Sequence, residues 1–538
     1  MDFPTTSLPL EIKHTLDEIN STYNQNNEYL QRFQYDVERY LIDSNIRGLL
    51  IYHSPGTGKT ILAAALAEHF RKNQPNRKIL ILLPKSLQGN FEKNIRKYMK
   101  FNPHISGVEK SQDFIEETLK TKYRFISSNA SNMFAQISKI QKSDEEIAYE
   151  KSLAKINEHI STKSNFLENT LIIMDEVHNL ASAIKNGSKN AVKLYNTIMK
   201  TRNIKLLFLT GTPIVNTPFE LVPIFNMLKG YMGKTKHTLF PENQLDFYNL
   251  FMSGNVDAAG LQIKNKAIFQ NRITGLLSYY GDFYFQNNVK KDFPIQLPTK
   301  IEVVNMSIFQ YIRYQRMRDI EIKESSYSKA NTSENFAFKD PSKTSSSYRI
   351  RSRQVSNYCI PENALVFNAE KTSVQKFINR ISPEDLDDLE KYSPKFQKIL
   401  DNIALYPNSL GVVYSEFVSG EGLAIFTHVL ERKKYIYWRD GNEMGDEFDF
   451  PVSKQKQKKL TYAIISGNVP YSERESIIKT FNNKKNISGD YISLLLISKS
   501  GAEGLSLRNC RSIHIMEPFW NYARIEQIIA RGVRFHSH

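Results

Sequence analysis

Cysteine is nearly absent: Cys359 and Cys510 are the two in 538 residues. Two thiols build neither a disulfide framework nor a cysteine-rich zinc site, and they fit a reducing compartment. Long apolar runs are missing too. No stretch approaches the length of a membrane span, so no membrane partner is expected. The N-terminus, Met-Asp-Phe-Pro-Thr-Thr-Ser, has neither the basic start nor the apolar core of a signal peptide. Acidic residues are the scarcer charge: 72 Lys+Arg against 56 Asp+Glu leaves a formal +16 with His neutral. That excess favours a polyanionic partner, most often nucleic acid; the plainer reading is a generally lysine-rich chain. The remainder, 41% apolar and 24% charged, reads as a globular protein long enough for two or more cores.

One stretch organises the chain. Gly48-Leu-Leu-Ile-Tyr52 is an apolar run, Ser54-Pro-Gly-Thr-Gly-Lys-Thr60 is a glycine turn, and Ile61–Phe70 carries a strong helix pattern. This is the order of a phosphate-binding loop. Gly56 and Gly58 let the backbone curl around an anion, with Ser54 and Thr57 completing the loop, and the following helix adds its positive end. Lys59 would reach the β- and γ-phosphates of ATP, and the Thr60 hydroxyl would hold Mg²⁺. The full pattern wants glycine six residues before the lysine, where His53 stands. Upstream, Phe33, Val37, Tyr40 and Leu41 mark a helix face, and Gln34 carries an amide able to read both edges of adenine.

From Gly48 to about Gly230 short apolar runs alternate with helix patterns. Leu49–Tyr52, Ile79–Leu83, Arg124–Ile126, Leu171–Met174 and Leu206–Leu209 read as buried strands; 61–72, 86–99 and 188–200 read as helices. The alternation predicts a parallel sheet covered on both faces, with ligands at the carboxyl ends of its strands. Two motifs fall at such ends. Asp175 can hold Mg²⁺ through water, Glu176 can orient and activate an attacking water, and His178 can couple nucleotide state to neighbouring elements. Thr210-Gly-Thr212 suits a polar link from the nucleotide site to a second lobe.

The middle of the chain is less regular. Ser325–Ser347 is rich in Ser, Lys and Asn and reads as a mobile loop. Arg349, Arg351 and Arg353 alternate, so an extended chain would set them on one face as a phosphate-binding row. A second α/β pattern begins near 408, with strands at 411–415, 462–465, 493–497 and 512–516 and helices at 421–431, 473–482 and 523–534. Ser472 and Glu475 read as a capping box. The lysine-rich stretch 440–460 reads as a surface excursion. The expected divisions are a helical segment 1–47, a nucleotide-binding lobe 48–230, an inserted, partly helical region 231–400 and a second lobe 401–538.

With these motifs in order the chain resembles the superfamily 2 helicases and nucleic-acid-stimulated ATPases. Pro84-Lys85-Ser86 is similar to that superfamily's motif Ia, and Ser127-Ser128-Asn129-Ala130 to a strand-binding turn. Ser500-Gly501-Ala-Glu-Gly504-Leu-Ser-Leu507 is similar to motif V, and Gln527-Ile-Ile-Ala530-Arg531-Gly-Val-Arg534 to motif VI, with Ala530 in place of the usual glycine. Asp175-Glu-Val-His-Asn-Leu180, Thr210–Asn216, Ser278-Tyr-Tyr280, Asp292-Phe-Pro294, Ser352-Arg-Gln354 with Asn357, Tyr392-Ser-Pro-Lys395 and Arg531–His538 narrow the resemblance. They point to the nucleic-acid-dependent ATPases of large cytoplasmic DNA viruses, related to poxvirus nucleoside triphosphatase I and the early transcription factor ATPase subunit, and more distantly to Swi/Snf-type translocases.

The resemblance implies two RecA-like α/β lobes with ATP and Mg²⁺ between them. Arg531 and Arg534, on one helix face, would act with Gln527 on the γ-phosphate, while Lys85, Ser128, Gly501 and Gly504 lie in loops that grip nucleic acid. It further implies a translocase or helicase on DNA in early viral transcription, working with the viral RNA polymerase or its factors, in the virion and the host cytoplasm. A non-catalytic DNA-binding or scaffold subunit is the alternative. Because the chain stops at His538, directly after motif VI, the expectation is a truncated or split product that a second polypeptide could complete.

Overall fold

The computed structural model describes residues 29–128, 130–138, 166–254, 262–281, 294–330, 349–364, 380–439, 460–502, 504–517, 522–534 and 537–538. The chain divides into two compact units, 1–288 and 289–538.

The first unit follows the expected alternation. In order come α1 (Arg32–Asp43), β1 (Gly48–His53), α2 (Lys59–Asn73), β2 (Lys78–Leu83), α3 (Gln88–Phe101), α4 (Gln112–Lys122) and β3 (Tyr123–Ser127). β4 (Thr170–Asp175), α5 (Val177–Lys185), α6 (Lys189–Lys200), β5 (Ile204–Thr210), α7 (Leu221–Lys229) and β6 (Leu277–Tyr280) follow, with short helices such as Met133–Ser138, Gln244–Phe251 and Lys266–Ile273 between them. The sheet is all parallel, in the order β3-β2-β4-β5-β1-β6. Its strands are continuous apolar runs because both faces are covered. Alternate residues serve opposite cores: Leu50, Leu80, Leu82, Ile172, Met174, Leu206 and Phe208 pack on one face. Leu49, Ile51, Ile79, Ile81, Leu171, Ile173 and Leu207 pack on the other. α2 is buried nearly all round through Leu62–Ala67, and its alanines let it lie close to the sheet.

The second unit contains α8 (Ile308–Ala330), α9 (Ile350–Asn357), α10 (Pro394–Ala404), β7 (Leu410–Ser415), α11 (Leu423–Arg432), β8 (Ile436–Tyr437), β9 (Thr461–Ile465), α12 (Tyr471–Phe481), β10 (Leu494–Ser498), β11 (Cys510–Ile515) and α13 (Tyr522–Ile529). Its parallel sheet runs β8-β9-β10-β7-β11. Again the faces alternate, with Val413, Leu494 and Leu496 on one and Val412, Leu495 and Ile497 on the other.

Four local expectations are corrected. The arginine row is not extended: Ile350–Asn357 is helical, Arg349 caps it in a left-handed conformation, Arg351 pairs with Glu324 at 2.8 Å and Arg353 pairs with Glu416. Carboxylates of the second unit thus take the guanidiniums of Arg351 and Arg353. Ser472 does not cap a helix, because α12 already begins at Tyr471 with Pro470 as its N-cap, which puts Ser472 inside the first turn. α8 continues through Ala330, into the stretch expected to be mobile; 331–347 lie outside the described residues, as do 440–459. Last, the helix expected over 523–534 stops at Ile529. Arg531 and Gly532 donate to Ile528 and Ile529, each three residues back, and the chain tightens out of the helix into a turn.

Candidate active site

The strand order brings the nucleotide motifs together. β4, β5 and β1 are neighbours, and their registers pair Asp175 with Leu209 and Tyr52 with Thr210. The acidic box, the Thr-Gly-Thr turn and the phosphate loop therefore leave one edge of the sheet at the same level. β2, beside β4, delivers Pro84 and Lys85 into a short 3-10 turn at that edge.

In the loop itself Gly56 and Gly58 have φ of 85° and 80°, a region open to glycine and strained for other residues. A side chain at Gly58 would also place its Cβ 2.5 Å from the Gln34 amide nitrogen. His53 explains why the missing glycine does no harm: it is the last residue of β1, in extended backbone. Its ring is buried and donates or accepts at 2.9 Å with Ser278 Oγ on β6. Burial, with the Lys59 charge added, lowers its pKa to about 3, so the ring is neutral. Lys59 Nζ donates to the His53 and Ser54 carbonyls at 2.7 and 3.1 Å, and Thr57 Oγ1 donates to Ser54 O at 2.8 Å. A Cβ at Gly211 would stand 3.8 Å from Lys59 Nζ, so the Thr-Gly-Thr turn passes directly over the lysine.

Gln34 is buried, and its Nε2 donates to the Thr57 and Gly58 carbonyls at 3.0 and 3.2 Å while Oε1 accepts from Gln31 N–H. Its amide braces the phosphate loop; reading adenine would require exchanging these partners.

The acidic box is strained at the residue expected to do the chemistry. Glu176 has φ 51°, ψ 49°, a left-handed conformation uncommon for a residue with a side chain, at the start of α5. Asp175 Oδ1 accepts the Glu176 N–H at 3.0 Å. Glu176 Oε2 lies buried, 3.3 Å from His178 Nδ1, without a well-aligned hydrogen bond. The same Nδ1 is 2.9 Å from Thr210 Oγ1, which accepts the Thr212 N–H at 3.0 Å. His178 Nδ1 thus stands between the two, hydrogen-bonded to Thr210 and within ion-pair distance of Glu176.

The oxygen donors at this edge fit a hard cation. Thr60 and Asp175 are half-buried, and Ser128 Oγ, which lines a small cavity with Asp175 and Glu176, is buried with no hydrogen-bond partner among the described residues. Mg²⁺ is a hard cation taken by one or two oxygen side chains together with water and substrate phosphates. Thr60 and Asp175 would hold it there, where it supplies charge neutralisation of the phosphates.

In the second unit, the motif V turn follows β10. Gly501 N–H donates to Ser498 Oγ at 3.1 Å, and a Cβ at Gly501 would lie 1.9 Å from Ile465 O, so no side chain fits. Gly504 has φ 72°. Gln527 is on α13, whereas Arg531 and Arg534 lie on the turn beyond it, with the Arg531 carbonyl accepting Leu507 N–H at 3.0 Å. Arg534 Nε donates to Ala530 O at 3.1 Å; burial, then the Arg531 charge, lowers its pKa to about 9. Sequence reasoning missed Glu416, directly after β7. It takes Arg353 of α9 and, at 3.2 Å, Arg524 of α13, tying the motif VI helix to α9. An acid at a strand's carboxyl end was the available signal. The Ser278 partnership with His53 had no such signal, since 225 residues separate them.

This geometry defines a P-loop ATPase. Residues 13–215 match the family of the type III restriction enzyme res subunit, and residues 423–536 match the helicase conserved C-terminal domain. A termination factor NPH-I homolog of African swine fever virus is 32% identical over 99% of this chain and 76% of its own length. An Acanthamoeba polyphaga mimivirus protein named as an ATP-dependent RNA helicase is 31% identical over 91% and 76%. A Sulfolobus solfataricus SWI2/SNF2 ATPase core in complex with double-stranded DNA aligns over 92% of this chain and 84% of that one, with 15% identity and a TM-score of 0.33. The chain belongs to the superfamily 2 helicases of large DNA viruses, ATP-hydrolysing enzymes with two RecA-like lobes.

Proposed function

We propose that this enzyme is a nucleic-acid-stimulated ATPase that moves along DNA during early viral transcription, at initiation or termination. Its partners would be the viral RNA polymerase or its factors, and its places of work the virion and the host cytoplasm. The observation that carries the motor reading is the placement of His178 between Glu176 and Thr210, at the same sheet edge as Lys59. A histidine that holds the Thr-Gly-Thr turn and faces the base lets hydrolysis and backbone grip answer to one another. Glu176 would activate the attacking water, Lys59 would hold the phosphates, and Arg531 and Arg534 would stabilise charge on the transferring phosphoryl group. Support for transcription comes from the relatives named as termination factors; other relatives carry RNA helicase names, so the track must be measured.

The test is ATP turnover by the purified chain with no nucleic acid, single-stranded DNA, duplex DNA or RNA, at two salt concentrations, with Glu176→Gln as control. The reading expects strong stimulation by DNA, lost in the variant. Stimulation by RNA alone would move the track to RNA, and DNA binding without turnover would leave a scaffold subunit.

A further inference from the structure

At the opposite end of the first sheet, where the strands begin, lies a cavity of about 700 Å³. It is formed by the turns entering β1, β2 and β5 and by the loop after α7. Its charge is of one sign. Arg47, Arg77 and Lys205 are half-buried in it; Lys200, Arg202, Lys229, Lys234 and Lys236 are exposed around it; no Asp or Glu lines it. Cations are expected at helix C-termini, and Arg47 serves that purpose. Its guanidinium donates to the carbonyls of Ile198 and Thr201 at the end of α6 and of Met227 in α7, at 2.5, 2.6 and 3.1 Å. Lys200 and Lys229 sit on the same helix ends. Lys205 Nζ donates to the Ile46 carbonyl at 2.6 Å, and Arg77 to the side-chain oxygens of Gln74 and Asn203 at 2.5 and 3.2 Å; that account leaves Arg202, Lys234 and Lys236 unexplained.

The hydrogen bonds of the half-buried cations go to neutral oxygens. Arg77 Nη1 is buried with no hydrogen-bond partner among the described residues. Burial lowers the pKa of Arg77, and burial together with the Arg77 charge lowers that of Lys205. Glu168 offers little relief, since its oxygens accept the Arg202 and Asn203 N–H groups. None of the five exposed cations makes an ion pair among the described residues. A concave site of one charge sign concentrates anions, and its volume is that of a small-ligand pocket.

We propose that this cavity binds an oligophosphate, three or more linked phosphates, at a site remote from the ATP loop. The phosphates come either from a free oligophosphate or from the backbone of a nucleic acid strand. The site stands independently of the ATPase mechanism, because it uses none of the residues at the opposite edge of the sheet.

The experiment uses the full chain carrying Lys59→Ala, so that the phosphate loop contributes little, with and without the triple change Arg202→Ala, Lys234→Ala, Lys236→Ala. Calorimetry with inorganic tripolyphosphate and fluorescence anisotropy with a labelled single-stranded oligonucleotide read binding. The expected result is at least a tenfold loss of affinity for one of the two probes on making the triple change. For the oligonucleotide, three fewer phosphate contacts lower the salt slope of log affinity by about 2. Loss for tripolyphosphate alone assigns a free oligophosphate; loss for the oligonucleotide, with tripolyphosphate competing, assigns a strand. Unchanged affinity for both probes overturns the proposal. The three residues are exposed and outside the active site, so the triple change made alone, with Lys59 retained, keeps the melting temperature and the ATP turnover without nucleic acid.

Discussion

The two units build the same parallel α/β sheet and treat the carboxyl edge of that sheet in opposite ways. In the first, buried polar atoms are held in reserve: Glu176 Oε2 and Ser128 Oγ have no aligned hydrogen bond among the described residues, and Lys59 rests on loop carbonyls. In the second, they are spent on one another. Glu517, buried just after β11, accepts from Ser415 Oγ at 2.7 Å, from Glu416 N–H at 2.9 Å and from the Asn357 amide, whose oxygen takes Lys395 Nζ at 2.8 Å. Burial raises the Glu517 pKa and lowers that of Lys395 to about 8. An edge with unsatisfied groups is prepared for a ligand; an edge with satisfied ones is a fastening. Position at a strand end is shared, so the hydrogen-bond account, and not the position, tells them apart.

The largest expected effect tests whether the second unit contributes chemistry despite that fastened edge. Arg531→Ala should lower ATP turnover by roughly 10³–10⁵ with nucleotide binding retained, as for removal of an arginine finger. Turnover within tenfold of the unchanged enzyme would confine the chemistry to the first unit. Next, Glu176→Gln should cost about 10²–10⁴ in turnover, the range of a general base, and leave thermal stability unchanged, because a group in reserve supports nothing. A large fall in melting temperature would make Glu176 a structural residue and break the comparison from its first side.

Glu517→Gln tests the other side. It strips a carboxylate from Asn357, Ser415 and the Glu416 N–H and removes the charge that faces Lys395. Breaking a buried charged network costs about 3–5 kcal/mol, and the lower end is expected here because Lys395 can release its proton. Chemical denaturation would read this loss, while turnover per folded molecule stays near normal. A stable variant with failed turnover would mean that the second edge, too, serves the nucleotide.

The sheets were legible because each strand is an apolar run bounded by turn residues, and Leu171–Met174 or Leu494–Ile497 has no other comfortable place than a covered sheet. The phosphate loop and the acidic box were legible because their chemistry is local in sequence. What escaped depends on partners far along the chain. The arginine row reads as extended until Glu324 and Glu416 claim two of its members. That Gln34 also braces the loop through the Thr57 and Gly58 carbonyls could not be read from its sequence neighbours. Helix α13 reads as continuing to Arg534 because nothing local except Gly532 announces that the chain turns back toward Leu507 and Cys510.

The smallest effect concerns His53, the one position where the phosphate loop departs from its pattern. Its ring is neutral in the fold because burial holds the pKa near 3, whereas an unfolded histidine titrates near about 6.5. Between those values the unfolded chain binds a proton that the folded chain refuses, so stability is full above pH 6.5 and falls as pH drops toward 3. At pH 5 the difference is about 1.5 units, or roughly 2 kcal/mol of stability lost relative to pH 7. His53→Asn removes the titrating group and should flatten that part of the curve, whatever it does to stability at pH 7. Equal acid slopes in denaturant midpoints for the two proteins would show that His53 is not the proton-refusing group. The loop's first residue would then be no better buried than the reserve groups beside it, and the edge of the first sheet would be softer than its hydrogen bonds indicate.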